Sequence, residues 1–422
     1  MNVWYCRLIA FGRLFLCSLA APIIYGFPRN RKKVVFGAWD GRIFQDNPKY
    51  FLGYALEHTD WQCVWIGQEH LRAQIEAFGK GRVKFARRRS LASWWHMLTA
   101  SYLVCNVNWQ SDILDFPMPT YKHIINLWHG IPFKQVGGKQ LQNRAPETAP
   151  DRPSCWLRHT LHQLLVWGNR CFFDHTSWTS VSSETMGRQL ADSFPWRFAL
   201  ERMCYAGLPR NDFLIQHRRD VALQHALRKK YAALLGGSPS KRWVLYVPTF
   251  RYAQGGLFSF SAPNENARIS EMLVRLGAEM IEKQHPRVLL EGGIRAGRYG
   301  AVTVLSEQEG QQVDLQELML VSDMMITDYS SCFFDFSLLN RPVIHFAYDY
   351  EDYASKDTGV YYDLSDVCAG PICRSVNEVY AALEKPQAEL LAARGGRLAE
   401  LTKYEQGRAS ATLIQVVQEH LR

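Results

Sequence analysis

The chain has 422 residues, enough for two α/β domains that each bury a core, and its 47% hydrophobic and 21% charged content, with 13 Trp, 19 Tyr and 22 Phe, excludes a disordered protein. A formal charge of +9 favours anionic partners, whether nucleotides, phosphorylated polymers, lipid headgroups or nucleic acid. Ten cysteines without a C-x-x-C pair or zinc-finger spacing exclude a disulfide scaffold and a structural zinc site, and they suit a reducing compartment.

Residues 1–32 hold the most membrane-like stretch, but Arg7 and Arg13 interrupt it and the uncharged run at 14–28 falls short of the roughly 20 residues a span needs. It reads as an N-terminal amphipathic membrane-associating segment, with a signal peptide ending near Ser18-Leu19-Ala20 as the rival. A second basic cluster, Lys80, Arg82, Lys84, Arg87, Arg88 and Arg89, precedes Trp94 and Trp95; basic residues beside aromatics suit a membrane interface, and a solvated face is the bland alternative.

Short apolar runs at 34–37, 63–66, 102–105, 124–127 and 164–167 alternate with helical patterns that run to about His58 and over 68–78, predicting a parallel sheet covered on both faces in a first domain, 33–215. The polar, helical stretch 216–240, closing on Gly236-Gly237-Ser238-Pro239-Ser240, reads as a linker. A second α/β domain, 241–422, has strands expected at 243–247, 301–305, 324–327 and 343–346 and helices near 269–283, 314–322, 330–339 and 378–420. Open parallel sheets bind ligands at the carboxyl ends of their strands, so the chemistry belongs on strand-to-helix loops. No G-x-G-x-x-G follows the first strand, which weakens a dinucleotide-cofactor reading.

Three constellations fall at such places. In Asp323 to Phe336 an apolar strand ends in Thr327-Asp328, and Ser330 and Ser331 stand at the start of an aromatic helix, where free N–H groups can receive a phosphate or the serines can simply cap. In Asn126-Leu127-Trp128-His129-Gly130 a histidine ends a buried strand; an imidazole can take a hydroxyl proton near neutral pH, and Gly130 permits close approach of a substrate. Arg251, in Pro248-Thr249-Phe250-Arg251, can fork onto a diphosphate, and His285, in Lys283-Gln284-His285-Pro286, can donate to the same group. Gly207-Leu208-Pro209-Arg210-Asn211-Asp212 reads as a turn at the domain junction.

Together with Asp46-Asn47-Pro48-Lys49-Tyr50, Phe334-Asp335-Phe336, residues 348–353 and Gly359-Val360-Tyr361-Tyr362, these motifs resemble, in order, those of the CDP-glycerol glycerophosphotransferase family, which primes and extends teichoic acids and related surface polymers. The resemblance covers about 33–410 and departs at Ile131, where a threonine is common, and at 290–300, which does not align. It implies a GT-B-like α/β fold: two Rossmann-like doubly wound domains facing across a cleft, acceptor side first and CDP-donor side second.

It also implies His129 as catalytic base and Arg251, His285, Ser330 and Ser331 at the donor pyrophosphate, with Thr327 and Asp328 in the same loop. Asp335 is expected to serve a ribose or support that loop, and Asp46 and Asn47 to form a substrate loop. The implied partners are CDP-glycerol or CDP-ribitol, a polyol-phosphate, glycan or lipid-linked acceptor, and the membrane surface at the cytoplasmic face, with no nucleic acid expected. No cofactor is required and no metal site is expected, though Mg2+ can come with the diphosphate. The alternative is a GT-B glycosyltransferase using a nucleotide sugar, which would release a nucleoside diphosphate and form a glycosidic bond.

Overall fold

A computed structural model describes residues 26–113, 123–137, 176–195, 197–249, 258–284, 294–354 and 359–421. The chain forms two compact units. The first comprises Met1–His129, Ala145–Arg210 and Arg408–Arg422; the second comprises Gly130–Arg144 and Asn211–Gly407.

Among the described residues the first unit carries seven parallel strands: β1 (Asn30–Phe36), β2 (Gln62–Gly67), β3 (Val83–Arg87), β4 (Ala100–Cys105), β5 (His123–Asn126), β6 (Thr176–Ser180) and β7 (Met203–Cys204). Their order is β3-β2-β1-β4-β5-β6-β7. The apolar ends of β1, β2 and β4 are buried throughout, as strands covered on both faces must be. The order reverses between β1 and β4, so the loops leaving them flank the crevice where such sheets take ligands.

One of those loops leads into helix α1 (Asp46–His58), whose Phe51, Leu52, Ala55 and Leu56 enter a core with Phe36, Trp61 and Trp65. Helix α2 (Leu91–Thr99) starts at Ser90, whose side chain accepts from the Ser93 N–H, and buries Met97 on the opposite face of the sheet. A one-turn helix, α3 (Trp109–Asp112), follows β4.

The second unit has β8 (Arg242–Val247), β9 (Ala278–Glu282), β10 (Gly297–Tyr299), β11 (Val302–Val304), β12 (Met324–Thr327), β13 (Val343–Phe346) and β14 (Ile372–Cys373). The order is β10-β11-β9-β8-β12-β13-β14, parallel except for β10 against β11. Its core gathers Tyr246, Phe260, Met280, Ile326, Phe346 and Val379.

Several elements differ from the sequence reading. The stretch read as a linker opens with the end of α4 (Pro209–His217) and continues in α5 (Val221–Leu235), and both belong to the second unit from Asn211 on. Helix α5 packs on α6 (Leu315–Val321), burying Tyr231, whose hydroxyl donates to Glu317 at 2.7 Å.

The helix expected over 269–283 is Pro263–Arg275 followed by β9, because Gly277 turns the chain at φ 60° and 278–282 is buried between strands. The helix expected over 378–420 is four: Val376–Leu383, Gln387–Ala392, Leu398–Leu401 and α8 (Ala409–Leu421). Pro386, Gly395-Gly396 and Gly407 break it. Helix α8 returns to the first unit, where Leu413, Ile414 and Val417 join the core beside α1; the second unit therefore ends at Gly407, not at 422. The strand expected at 164–167 and residues 1–25 lie outside the described residues.

Candidate active site

His129 follows β5 at the carboxyl edge of the first sheet and is half-buried. Its neighbours adopt left-handed backbone, Trp128 at φ 53° and Gly130 at φ 136°. Such a conformation costs a non-glycine residue about 1–3 kcal/mol and persists only when its surroundings enforce it. They do so here. Asn47 Nδ2 donates to the Leu127 and Trp128 carbonyls at 3.4 and 2.9 Å, and Asn126 Oδ1 accepts the Trp128 N–H at 2.9 Å. The Trp128 ring wedges against Phe194 and Phe198, and Arg210 Nη1 donates to the His129 carbonyl at 3.0 Å.

The same Arg210 nitrogen pairs with Asp46 Oδ1 at 2.8 Å, both side chains less than a tenth exposed. Asp46 Oδ1 also accepts the Asn47 N–H at 2.8 Å; Oδ2 accepts Trp39 Nε1 at 3.0 Å and Asn106 Nδ2 at 2.9 Å. Asn47 Oδ1 accepts the Arg210 N–H at 2.9 Å, closing the ring of contacts. Asp46 and Asn47, expected to line a substrate loop, thus spend their polar atoms inside the protein as braces for the His129 backbone. Arg210, read from sequence only as part of a junction turn, is the missed residue; its neighbours Pro209 and Asn211 gave a turn signal that hid a buried guanidinium.

The β4–α3 loop is fixed by Asp112, whose Oδ2 accepts the N–H groups of Asn106, Val107 and Asn108 at 2.9, 2.7 and 3.1 Å. Burial raises its carboxyl to about 6 against those bonds, which favour the charged form. Nothing in the residue type alone marked it.

In the second unit, Thr327 is fully buried and donates from Oγ1 to the Val247 carbonyl at 2.6 Å. Asp328 Oδ1 accepts Thr249 Oγ1 at 2.6 Å and the N–H groups of Thr249, Tyr329 and Ser330 at 2.9, 2.5 and 3.3 Å. These two residues bolt the loop after β12 to the loop after β8, the segment that leads to Arg251. Arg251 and His285 themselves lie outside the described residues. Ser330 and Ser331 are half-buried ahead of helix α7 (Cys332–Ser337), and Ser331, at the N-cap position, makes no side-chain cap bond. Asp335 is buried on α7 and accepts Asn211 Nδ2 at 3.1 Å, which turns it toward α4.

Aromatics back this loop. Tyr329 donates to Asp349 Oδ1 at 2.9 Å and stacks on Tyr353 with ring centroids 4.3 Å apart and on Phe133 with centroids 6.4 Å apart. The segment after Gly130 is tied down by Lys134 bridging to Val360 and by the Gln135 N–H donating to the Gly359 carbonyl at 2.9 Å. That pairing gives the Gly359-Val360-Tyr361-Tyr362 motif a structural role. Among the described residues no cluster of three or more His, Cys, Asp or Glu could hold a metal ion.

A family model described as CDP-Glycerol:Poly(glycerophosphate) glycerophosphotransferase matches residues 19–419. A teichoic acid poly(glycerol phosphate) polymerase of Bacillus spizizenii (strain ATCC 23059 / NRRL B-14472 / W23) is 28% identical over 375 residues, 87% of each chain. A teichoic acid glycerol-phosphate transferase of Staphylococcus aureus (strain NCTC 8325 / PS 47) is 25% identical over 403 residues, 92% of this chain and 93% of that one. Among solved structures, the wall teichoic acid polymerase TagF superposes with a TM-score of 0.67 at 20% identity, covering 93% of this chain and 90% of that one, which is likeness of fold.

Proposed function

Because this chain belongs to the CDP-glycerol:poly(glycerophosphate) glycerophosphotransferase family, we propose that it transfers glycerol phosphate from CDP-glycerol to an acceptor hydroxyl with His129 as the base. The acceptor oxygen attacks the β-phosphorus, the bond from that phosphorus to the bridging oxygen breaks, CMP leaves with the electron pair, and the hydroxyl proton passes to the imidazole. A positioned general base of this kind contributes about 10² to 10⁴ in rate. The observation that carries this reading is the strained backbone around His129, with Trp128 at φ 53° and the carbonyl of His129 held by the buried Arg210–Asp46 pair. Such outlay at a strand end suits a side chain that must be aimed.

On the donor side, Ser330 and Ser331 receive the pyrophosphate with Arg251 and His285, while Thr327, Asp328 and Asp335 hold the loop. Phosphoryl transfer rests on positioning and on neutralising charge, which these donors supply. No cofactor is required; a magnesium ion would arrive with the donor's diphosphate. The acceptor is a polyol-phosphate, glycan or lipid-linked hydroxyl, and CDP-ribitol is the alternative donor. The enzyme works peripherally at the cytoplasmic face of the membrane, supported by Leu91 and Trp95, 89% and 53% exposed one turn apart on α2, beside exposed Lys84, Arg87 and Arg89. Among the described residues no helix is long and apolar enough to cross a membrane.

The test is His129→Ala: CMP release should fall by at least two orders of magnitude while calorimetry shows CDP-glycerol binding within about twofold of wild type. Turnover at the wild-type rate would remove His129 from the mechanism.

A further inference from the structure

The loop between β1 and α1 contains three consecutive left-handed residues, Trp39 at φ 49°, Asp40 at φ 55° and Gly41 at φ 69°. Two of them carry side chains, so the conformation has to be imposed. Arg88 helps impose it, donating Nη1 to the Asp40 carbonyl and Nη2 to the Ser111 carbonyl, each at 2.6 Å. Gln68 N–H donates to the Gly41 carbonyl at 2.7 Å, and a Cβ on Gly41 would meet Arg88 Cδ at 3.1 Å and Gly67 Cα at 3.2 Å.

The product of this bracing is an indole held at the surface. Trp39 is 38% exposed, yet its Nε1 is pinned to Asp46 at 3.0 Å and its ring sits edge-on to His129, centroids 5.9 Å apart. Scattered surface apolar residues need no explanation. A tryptophan that is strained at the backbone, fixed at its nitrogen and set against the proton acceptor does.

We propose that Trp39 is the stacking platform for a pyranose ring of the acceptor, placing a hydroxyl of that ring, or of the unit joined to it, at His129. The aromatic face is electron-rich and attracts the positively polarised C–H groups of a sugar face, and a rigid ring loses little freedom on stacking. Asp40, exposed next to the indole, adds an acceptor for a sugar hydroxyl, while Asp46 is taken up by Arg210 and serves only to pin the indole nitrogen. The inference rests on His129 being the base.

The test compares two synthetic acceptors on one tridecyl carrier, a hexopyranoside and a glycerol phosphate oligomer, with CDP-glycerol as donor. Trp39→Leu should raise the KM for the hexopyranoside tenfold or more, with the KM for CDP-glycerol and the pH dependence of turnover unchanged. Trp39→Phe, which keeps an aromatic face, should recover most of that loss, and both variants should melt together, separating stacking from folding. Equal losses on both acceptors, a raised donor KM, or Leu and Phe behaving alike would each overturn the proposal. If His129→Ala stayed active, the base would be wrong, yet the Leu-to-Phe contrast on the hexopyranoside would still report whether Trp39 meets a sugar.

Discussion

The imidazole of His345 is fully buried, with Nδ1 3.0 Å from the Asp328 carbonyl and Nε2 accepting the Ala369 N–H at 3.0 Å. That pairing requires the neutral tautomer protonated on Nδ1, and burial lowers its pKa to about 4. The folded value lies below the unfolded one near 6.5, so the stability it contributes is complete above about pH 6.5 and is lost as pH falls toward 4. Asp112 and Glu282, both raised to about 6 by burial, act oppositely: their contribution is present at low pH and lost as pH rises through about 6. The three partly cancel in the whole protein, so the effect must be read as a difference. The destabilisation caused by His345→Gln, measured by urea unfolding, should shrink by about 2 kcal/mol between pH 8 and pH 5. A pH-independent difference would mean that the histidine is not held neutral. Asp328, by contrast, was legible in the sequence as a loop aspartate at a strand end; that its oxygens face four protein donors was not, because those donors come from Thr249, nearly eighty positions away, as well as from its neighbours.

Helix α8 shows what single-chain periodicity can and cannot convey. Its apolar spacing marked a helix, but nothing local says which core that helix enters, and Gly407, with φ 74° and Ile215 Cγ2 at 2.9 Å from where a Cβ would lie, is the point at which the chain leaves the second unit. Leu413 is completely buried among α1 and β1 residues such as Phe51 and Phe36. Leu413→Ala should therefore cost about 2–5 kcal/mol, and the loosening should show as faster hydrogen exchange in Asp46–His58 rather than in Val376–Leu383, although the latter is nearer in sequence. Faster exchange confined to 376–401 would place the helix in the wrong core. The misread stretch 269–283 has the same origin: Ala278–Glu282 is a fully buried strand whose two acidic residues, Glu279 and Glu282, stand three apart and so imitate the polar face of a helix, and Glu282 is tolerated inside because Ser259, Gln284 and the Phe260 N–H all donate to it.

Across the whole molecule, the two parallel sheets and His129 at a strand end followed from buried apolar runs and loop chemistry, whereas β6, reading Thr-Ser-Trp-Thr-Ser, and the two-residue β7 lacked the apolar run that announces a strand. The surface carries one more distinction that sequence left open, between a membrane face and a solvated one. Lys84 and Arg87 point out from β3, an edge strand, where charged residues ordinarily prevent edge-to-edge pairing. Edge protection accounts for the charges but not for Leu91 and Trp95, which lie at i and i+4 on the outer face of α2, with Phe27 edge-on to Trp95 at 6.3 Å. Inserting one such side chain into lipid contributes about 1.5–3 kcal/mol, so removing both outweighs any single surface charge, which near an anionic membrane contributes about 1 kcal/mol. The double variant Leu91→Glu/Trp95→Glu should lose at least about tenfold of its binding to phosphatidylglycerol vesicles in flotation. Its turnover on a soluble acceptor should stay unchanged, and wild-type binding should weaken with added salt without vanishing, since the apolar part is unscreened. Undiminished flotation of the double variant would return the cluster to edge protection alone and move the membrane contact elsewhere on the molecule.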